Sequence, residues 1–465
     1  MGREPRTKHS RQLAPAFFRQ RFVTSLLGLI HCALLVISIT TDGFAADISP
    51  TRFMAPNGMT VLVLEQHFLP IVEIHALIKA GSAQDPPEKA GVANLTASLL
   101  DEGTTTRSSR QLAEQIDFVG GSLVVHVDED YTTASTRILK KDIDLGFTLL
   151  ADILQRPAFP KQEFERVRSQ ILGEISSDND DPGQVAIKAF NQLVFQNHPY
   201  RWPVNGTEET LSKITVADVQ SFYAREYLPN QIILAIVGDV TVEQATALVQ
   251  AHFGSWKKGT VPPRTVRKPS AIDKKTVQLI EKDLTQSTIM IGHSGISRAN
   301  PDYYAVTVMN HVLGAGGFSS RLMDSIRDKQ GLAYGIMSHY DARAMPGSFW
   351  INLQTRTETT NQAITGVLTE MKSIREAPVT DQELAEAKAF LMGSFPLRLD
   401  STAKLAQVLA QVEFFGLGFD YFTQYPKWIE RVTKDDVLRV AKQYLDPQRY
   451  ALVVVGNIGK AKVRQ

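Results

Sequence analysis

The chain has 465 residues, is 43% apolar and 21% charged, and carries a net charge of +1. That is enough for two or three domains with a sizeable core. Residues 1–45 hold six Lys/Arg and two Asp/Glu, which leaves 44 basic and 47 acidic side chains in the rest of the chain. This balance excludes a basic footprint for nucleic acid or for an anionic membrane surface.

The first element along the chain reads as a targeting segment. Arg3, Arg6, Lys8, Arg11, Arg19 and Arg21 precede the apolar run Val23–Ile39, and Gly43-Phe44-Ala45-Ala46 then offers small residues for cleavage. Residues 1–46 are expected to be a removed secretory signal. An uncleaved anchor is the alternative, because a run of 17 residues is close to the shortest that spans a bilayer. The basic region is long for a signal, which leaves the true first residue open. The single cysteine, Cys32, lies inside this run. The remainder therefore has no disulfide or thiol chemistry and suits an oxidising compartment without requiring one. Export is expected, to the periplasm of a bacterium.

Gly58–Leu64 and Ile71–Lys79 alternate or run apolar, as strands do. Gly91–Leu100 and Gln111–Phe118 have helical spacing. Gly120-Gly121 turns into SLVVHVDEDYTTASTRI, a predicted strand pair. Phe164, Val167, Ile171 and Ile175 form an apolar stripe of helical period. Thr215–Tyr227 reads as a helix whose Thr215 can cap free N–H groups, and Gln231–Val240 is β-rich. Gly254–Ser270 contains three prolines and five Lys/Arg and reads as an interdomain linker. Strands and helices that do not strictly alternate predict an α+β fold, a mostly antiparallel sheet with helices on one face.

The chain also repeats itself. ITVADVQSFYAREYLPNQIILAIVGDV (Ile214–Val240) resembles VTKDDVLRVAKQYLDPQRYALVVVGNI (Val432–Ile458), with Thr215 matching Thr433, Asp218 matching Asp436 and Gly238 matching Gly456. QEFERVRSQILGE (Gln162–Glu174) and QELAEAKAFLMGS (Gln382–Ser394) repeat at nearly the same offset. Two unrelated segments sharing an offset predict a duplicated domain, longer than solenoid repeats. The expected division is a signal or anchor over 1–46, a first domain over 47–253, a linker over 254–272 and a second domain over 273–465.

Within Gly91–Thr104, Asn94, Ala97 and Ser98 stand at i, i+3 and i+4. A zinc-peptidase helix places His, Glu and His at this spacing, because i and i+4 share a face and the Glu reaches the metal-bound water. An amide, a methyl and a hydroxyl perform neither task. None of the ten histidines stands three or four residues from another.

GSAQDPPEKAGVANLTASLLDEGT, ILGEISSDNDDP (Ile171–Pro182), HPYRWPVNGT (His198–Thr207) and GGFSSRLMDSIRDKQGLAYGIMSHY (Gly316–Tyr340) occur in that order. Together they resemble the M16 (insulinase, or pitrilysin) metallopeptidase family in its two-domain, processing-peptidase-like branch, over residues 50–458. The resemblance implies two homologous M16/LuxS-like domains. It places the two His ligands on Asn94 and Ser98, the general base on Ala97 and the third ligand on Glu174. Only Glu174 retains its function-bearing side chain. One carboxylate cannot hold a catalytic zinc, which needs three protein ligands and an open position, and no base remains to activate a water. No metal is therefore expected on Asn94, Ala97, Ser98 or Glu174. Glu174 otherwise reads as a surface carboxylate, and Asn94 and Ser98 as hydrogen-bonding to backbone or to each other. Asn94-Leu95-Thr96 and Asn205-Gly206-Thr207 also fit a glycosylation sequon, relevant only in a eukaryotic secretory route.

The resemblance further implies that Arg327 and Tyr334 bind the scissile peptide, Arg through fixed donors to peptide carbonyls and Tyr at a developing oxyanion. The structural alternative pairs Arg327 with a nearby acid and packs Tyr334 in the sheet. Gly314–Gly317 resembles a short form of the glycine-rich loop of non-catalytic family subunits, or is a plain turn. The strand after Gly120-Gly121 is a candidate edge for an extended peptide. The expectation is a non-catalytic subunit that binds no cofactor itself and assists a zinc-bearing partner with an intact HxxEH helix. A peptide- or protein-binding scaffold without a part in proteolysis is the alternative. A self-sufficient hydrolase is disfavoured, because no nucleophile motif is present. Peptide and the HxxEH homologue are the expected partners, nucleic acid is not, and a membrane is expected only if the N-terminal segment stays uncleaved.

Overall fold

The computed structural model describes residues 48–261, 263 and 268–464. The targeting segment, its cleavage site and Cys32 lie outside these residues. Among the described residues no helix is long and apolar enough to cross a membrane.

The first half forms a six-stranded sheet from β1 (Thr51–Met54), β2 (Thr60–Glu65), β3 (Ile71–Ile78), β4 (Ser122–Val127), β5 (Thr132–Leu139) and β6 (Ile232–Gly238), in the order β1-β2-β6-β3-β5-β4. The second half forms a five-stranded sheet from β7 (Thr276–Glu281), β8 (Gln286–Ser294), β9 (Ala333–Tyr340), β10 (Ser348–Arg356) and β11 (Ala451–Gly456), in the order β7-β11-β8-β10-β9. Leaving out β1, the two orders superimpose strand for strand. Each sheet has one parallel pair, β2 with β6 and β7 with β11, and is otherwise antiparallel. The predicted α+β architecture is the observed one.

The duplication reaches single hydrogen bonds. Glu65 faces Gly238 in one parallel pair and Glu281 faces Gly456 in the other. Glu65 Oε1 accepts from the Val242 N–H at 2.9 Å, and Glu281 Oε2 accepts from the Ile458 N–H at 3.0 Å. Each carboxylate thus sits at the start of the helix that follows its neighbouring strand, where free N–H groups and the helix dipole favour negative charge. Thr215 and Thr433 cap the Val216–Glu226 and Lys434–Tyr444 helices in identical boxes with Asp218 and Asp436. The sheet requires glycine at 238. Its φ is 139°, and a Cβ there would lie 2.1 Å from the Ile71 carbonyl oxygen.

Each sheet buries one face against helices of its own half. Val61, Val63, Val72, Ile74, Ala76 and Ile78 do so in the first sheet. The other face is covered by exchange, which sequence periodicity did not reveal. The Thr402–Phe414 helix of the second half places Leu405, Leu409 and Val412 in one cluster with Leu62, Leu77, Ile233 and Val237 of the first sheet. The Pro182–Val194 helix of the first half places Ala186, Phe190 and Val194 against Met290, Val453 and Val455 of the second sheet. Both helices have 13 residues and they start at positions 182 and 402, so the exchange obeys the internal repeat. The outer strands β4 and β9 pair on one side only.

Candidate functional site

The helix on which the resemblance places the metal ligands is short, spanning Val92–Ala97. Helical spacing predicts ten residues here. The helix stops early because Leu99 and Leu100 turn into the core, where both are fully buried. Gly91 caps its start with φ 100°, and a Cβ on Gly91 would meet the Asn205 carbonyl oxygen at 2.8 Å. Gly206 completes the approach, because its own Cβ would lie 2.2 Å from the Ala90 oxygen. The two glycines let the Asn205–Thr207 loop lie directly on the helix start.

That approach decides the fate of Asn94. Its Nδ2 donates to Asn205 Oδ1 at 3.1 Å. The partner is neither backbone nor Ser98, as the sequence had suggested, but a side chain brought in from a distant loop. The Ser98 N–H donates to the Asn94 carbonyl at 2.9 Å, so the two residues do share a face, and both are half-buried. Ala97 is 1% exposed and belongs to the hydrophobic core. Its position holds a packed methyl, so a charged base there would be buried at high cost.

Glu174 sits on the Lys161–Asp180 helix, whose Phe164, Val167, Ile171 and Ile175 are buried, as their period predicts. Glu174 itself is exposed, and its Oε1 accepts from Gln170 Nε2 one turn earlier at 3.3 Å. An engaged amide, a core methyl, a hydroxyl and one solvated carboxylate do not fit a zinc ion. Among the described residues no group of three His, Cys, Asp or Glu side chains is placed to hold a metal.

Asp85 is a residue that sequence reasoning missed. Its carboxylate accepts from the Gly91 N–H at 2.7 Å and the Ala93 N–H at 3.0 Å, and so caps the short helix from six residues upstream. Burial pushes its carboxyl up to about 8, against the pull of the two N–H groups. No ordinary capping spacing signals this role. Asp101, at the far end of the same segment, is raised to about 6 by burial.

The structure brings Arg327 and Tyr334 together. Arg327 lies on the π-helical turn Met323–Lys329 and Tyr334 near the start of the outer strand β9. The Arg327 guanidinium lies 5.8 Å from the Tyr334 ring centroid and 4.8 Å from that of Phe318. Arg327 Nη1 is also 3.2 Å from Asp328 Oδ1. Tyr334 is 93% exposed and Phe318 73%. Tyr334 therefore projects from the sheet and is not packed within it. Phe318 escaped the sequence reading, although a large aromatic inside a glycine-rich turn is a signal. The GAGG segment ends the π-helical turn His311–Ala315, and only its first glycine is buried. A Cβ on Gly314 would lie 2.6 Å from Ser338 Oγ and 2.7 Å from Leu322 Cδ1.

The strand after Gly120-Gly121 is an outer strand, β4, with Val124 54% exposed. On β9 of the other sheet, Met337 is likewise 54% exposed. Each offers free main-chain groups along one edge.

Residues 60–208 match the family described as insulinase (peptidase family M16), and residues 213–391 match the peptidase M16 inactive domain. An uncharacterized zinc protease of Streptomyces coelicolor is 30% identical over 389 residues, covering 81% of this chain and 83% of that one. One from Mycobacterium tuberculosis is 28% identical over 425 residues, covering 90% and 95%. A crystal structure described as a peptidase M16 inactive domain from Pseudomonas fluorescens matches with a TM-score of 0.83 at 27% identity, covering 88% of this chain and 98% of that one. A protease from Helicobacter pylori shares the fold with a TM-score of 0.82. The chain belongs to the M16 peptidase family.

Proposed function

We propose that this chain is an exported, non-catalytic subunit of a heteromeric M16 peptidase, binding peptide beside a partner that carries the zinc and an intact HxxEH helix. The observation that carries the reading is a contrast between two sites. At the metal helix, every position needed for water activation is amide, methyl or hydroxyl, and Asn94 is tied to Asn205. At the second site, Arg327 and Tyr334 stand together at the start of an outer strand with the tyrosine ring in solvent. Main-chain pairing along such an edge holds an extended peptide with little sequence preference, and an adjacent guanidinium adds donors to its carbonyls. The basic and apolar N-terminal segment supports export to a bacterial periplasm.

The test is reconstitution. The chain alone is expected to hold less than a tenth of a zinc per chain and to leave a quenched peptide intact. Mixing with an HxxEH-bearing homologue from the same cell is expected to raise that homologue's peptide turnover. A stable complex without any change in turnover would favour the scaffold reading. More than half a zinc per chain, with turnover by the chain alone, would overturn the non-catalytic reading.

A further inference from the structure

The outer strands β4 and β9 are joined at their turns. The β4–β5 turn, Asp128-Glu129-Asp130-Tyr131, and the β9–β10 turn, residues 341–347, occupy equivalent places in the two halves and dock on one another. Arg343 Nη1 lies 2.6 Å from Glu129 Oε1, and its Nε lies 2.5 Å from Asp341 Oδ2. The Tyr200 hydroxyl, under the Arg343 guanidinium, donates to Asp130 Oδ1 at 2.5 Å. The Ala344 N–H donates to Asp130 Oδ2 at 2.8 Å, and the Met345 N–H donates to the Tyr200 oxygen at 3.3 Å. Tyr131 accepts from Gln411 Nε2 at 3.0 Å and meets Phe414 edge-on, both on the exchanged Thr402–Phe414 helix.

The charges at this junction do not balance. Asp128, Glu129 and Asp130 from one turn and Asp341 from the other gather around the Arg343 guanidinium. His198 beside them adds no charge near neutral pH, since burial and Arg343 push it down to about 4. Arg201 donates to the Gln196 carbonyl, and Glu413 on the neighbouring helix is held by Arg52. Burial, with Asp128 beside it, pushes Glu129 up to about 8 against the pull of Arg343. Burial also raises Asp130. Burial and crowding therefore favour the protonated form of the acidic turn.

We propose that this junction is a proton-dependent latch that sets the spacing of the two outer strands. While the acidic turn keeps its proton the hairpins stay docked. Losing it leaves surplus negative charge around Arg343 and frees the 341–347 turn. A folded carboxyl raised above its unfolded value contributes stability that is full below about 4.3 and is lost as pH rises through about 8. The latch itself stands on the junction alone, but its consequence for peptide binding rests on the function proposed above.

The test is hydrogen exchange of the full chain at about pH 6.5 and 9.5, corrected for intrinsic rates. Protection of residues 341–347 is expected to fall about tenfold over this range, with β11 unchanged, and less than threefold in Glu129→Gln. Unchanged protection in the unmodified chain, an equal loss in β11, or the same fall in Glu129→Gln would each overturn the latch. The first two readouts need no variant. Peptide retention at the two pH values is read separately. Absent binding at both, with the protection change intact, would overturn the peptide-binding reading and still support the latch.

Discussion

Asn94 and Arg327 show how a single side chain changes meaning with its neighbours. An amide in a ligand position is only an absence in the sequence. In the fold it is the donor to Asn205, a contact that no local spacing signals. Arg327 keeps its guanidinium against two exposed aromatic rings. A cation over such faces contributes about 0.5–1 kcal/mol at exposed sites, too little to explain the cluster as a stability device. Arg327→Ala and Tyr334→Phe are accordingly expected to leave the thermal midpoint of the chain within about 2 °C. Each is expected to lower turnover of the reconstituted pair about tenfold or more. Full activity in both variants would refute the peptide-binding role. Asp85 carries the second residue-scale prediction. Its carboxyl is raised to about 8 by burial, so the folded state holds a proton that the unfolded chain loses near pH 4. Stability is therefore expected to fall as pH rises from about 5 to 8.5, and Asp85→Asn to make that fall shallower in urea titrations. An unchanged slope would show that the cap is ionised throughout.

The elements are where the duplication can be measured. The Thr215 and Thr433 hydroxyls each donate to the capping Asp at 2.7 Å, and each accepts from that residue's N–H. Thr215→Ala and Thr433→Ala are expected to cost about 1 kcal/mol each. Equilibrium unfolding of the two variants is expected to agree within about 0.5 kcal/mol, because the two boxes sit on equivalent helices. A cost for one box only would mean that the second half of the chain unfolds separately. The strands β2 to β6, the Thr215 cap and the apolar stripe of Lys161–Asp180 were legible in the sequence, since period and capping are local properties. The length of the Val92–Ala97 helix was not. Its end is set by where Leu99 and Leu100 must go, and only the surrounding core determines that.

At the scale of the whole molecule, the exchanged helices bind the halves into one folding unit. Leu409 is fully buried against the first sheet although it belongs to the second half. Leu409→Ala is expected to cost about 2–5 kcal/mol. It is also expected to lower hydrogen-exchange protection in β3 and β6 of the other half. Loss confined to the second half would refute the exchange as a source of cooperativity. The junction of the two turns adds a polar tie between the same halves, so packing and charge act on one interface.

The sequence by itself determined the α+β class, the duplicated plan and the family, because spacing, capping and repeat offsets are written along the chain. It also determined that Asn94, Ala97 and Ser98 supply no ligand pair and no base, since no fold can make Ala97 a base. The tertiary structure alone decided what surrounds those side chains. Asn94 meets Asn205, Asp85 caps the helix, and Arg343 meets Glu129 of another hairpin only after folding brings distant segments within hydrogen-bonding distance. Such contacts have no period and no fixed spacing. They depend on which surfaces two sheets leave uncovered, and here each half covers the other.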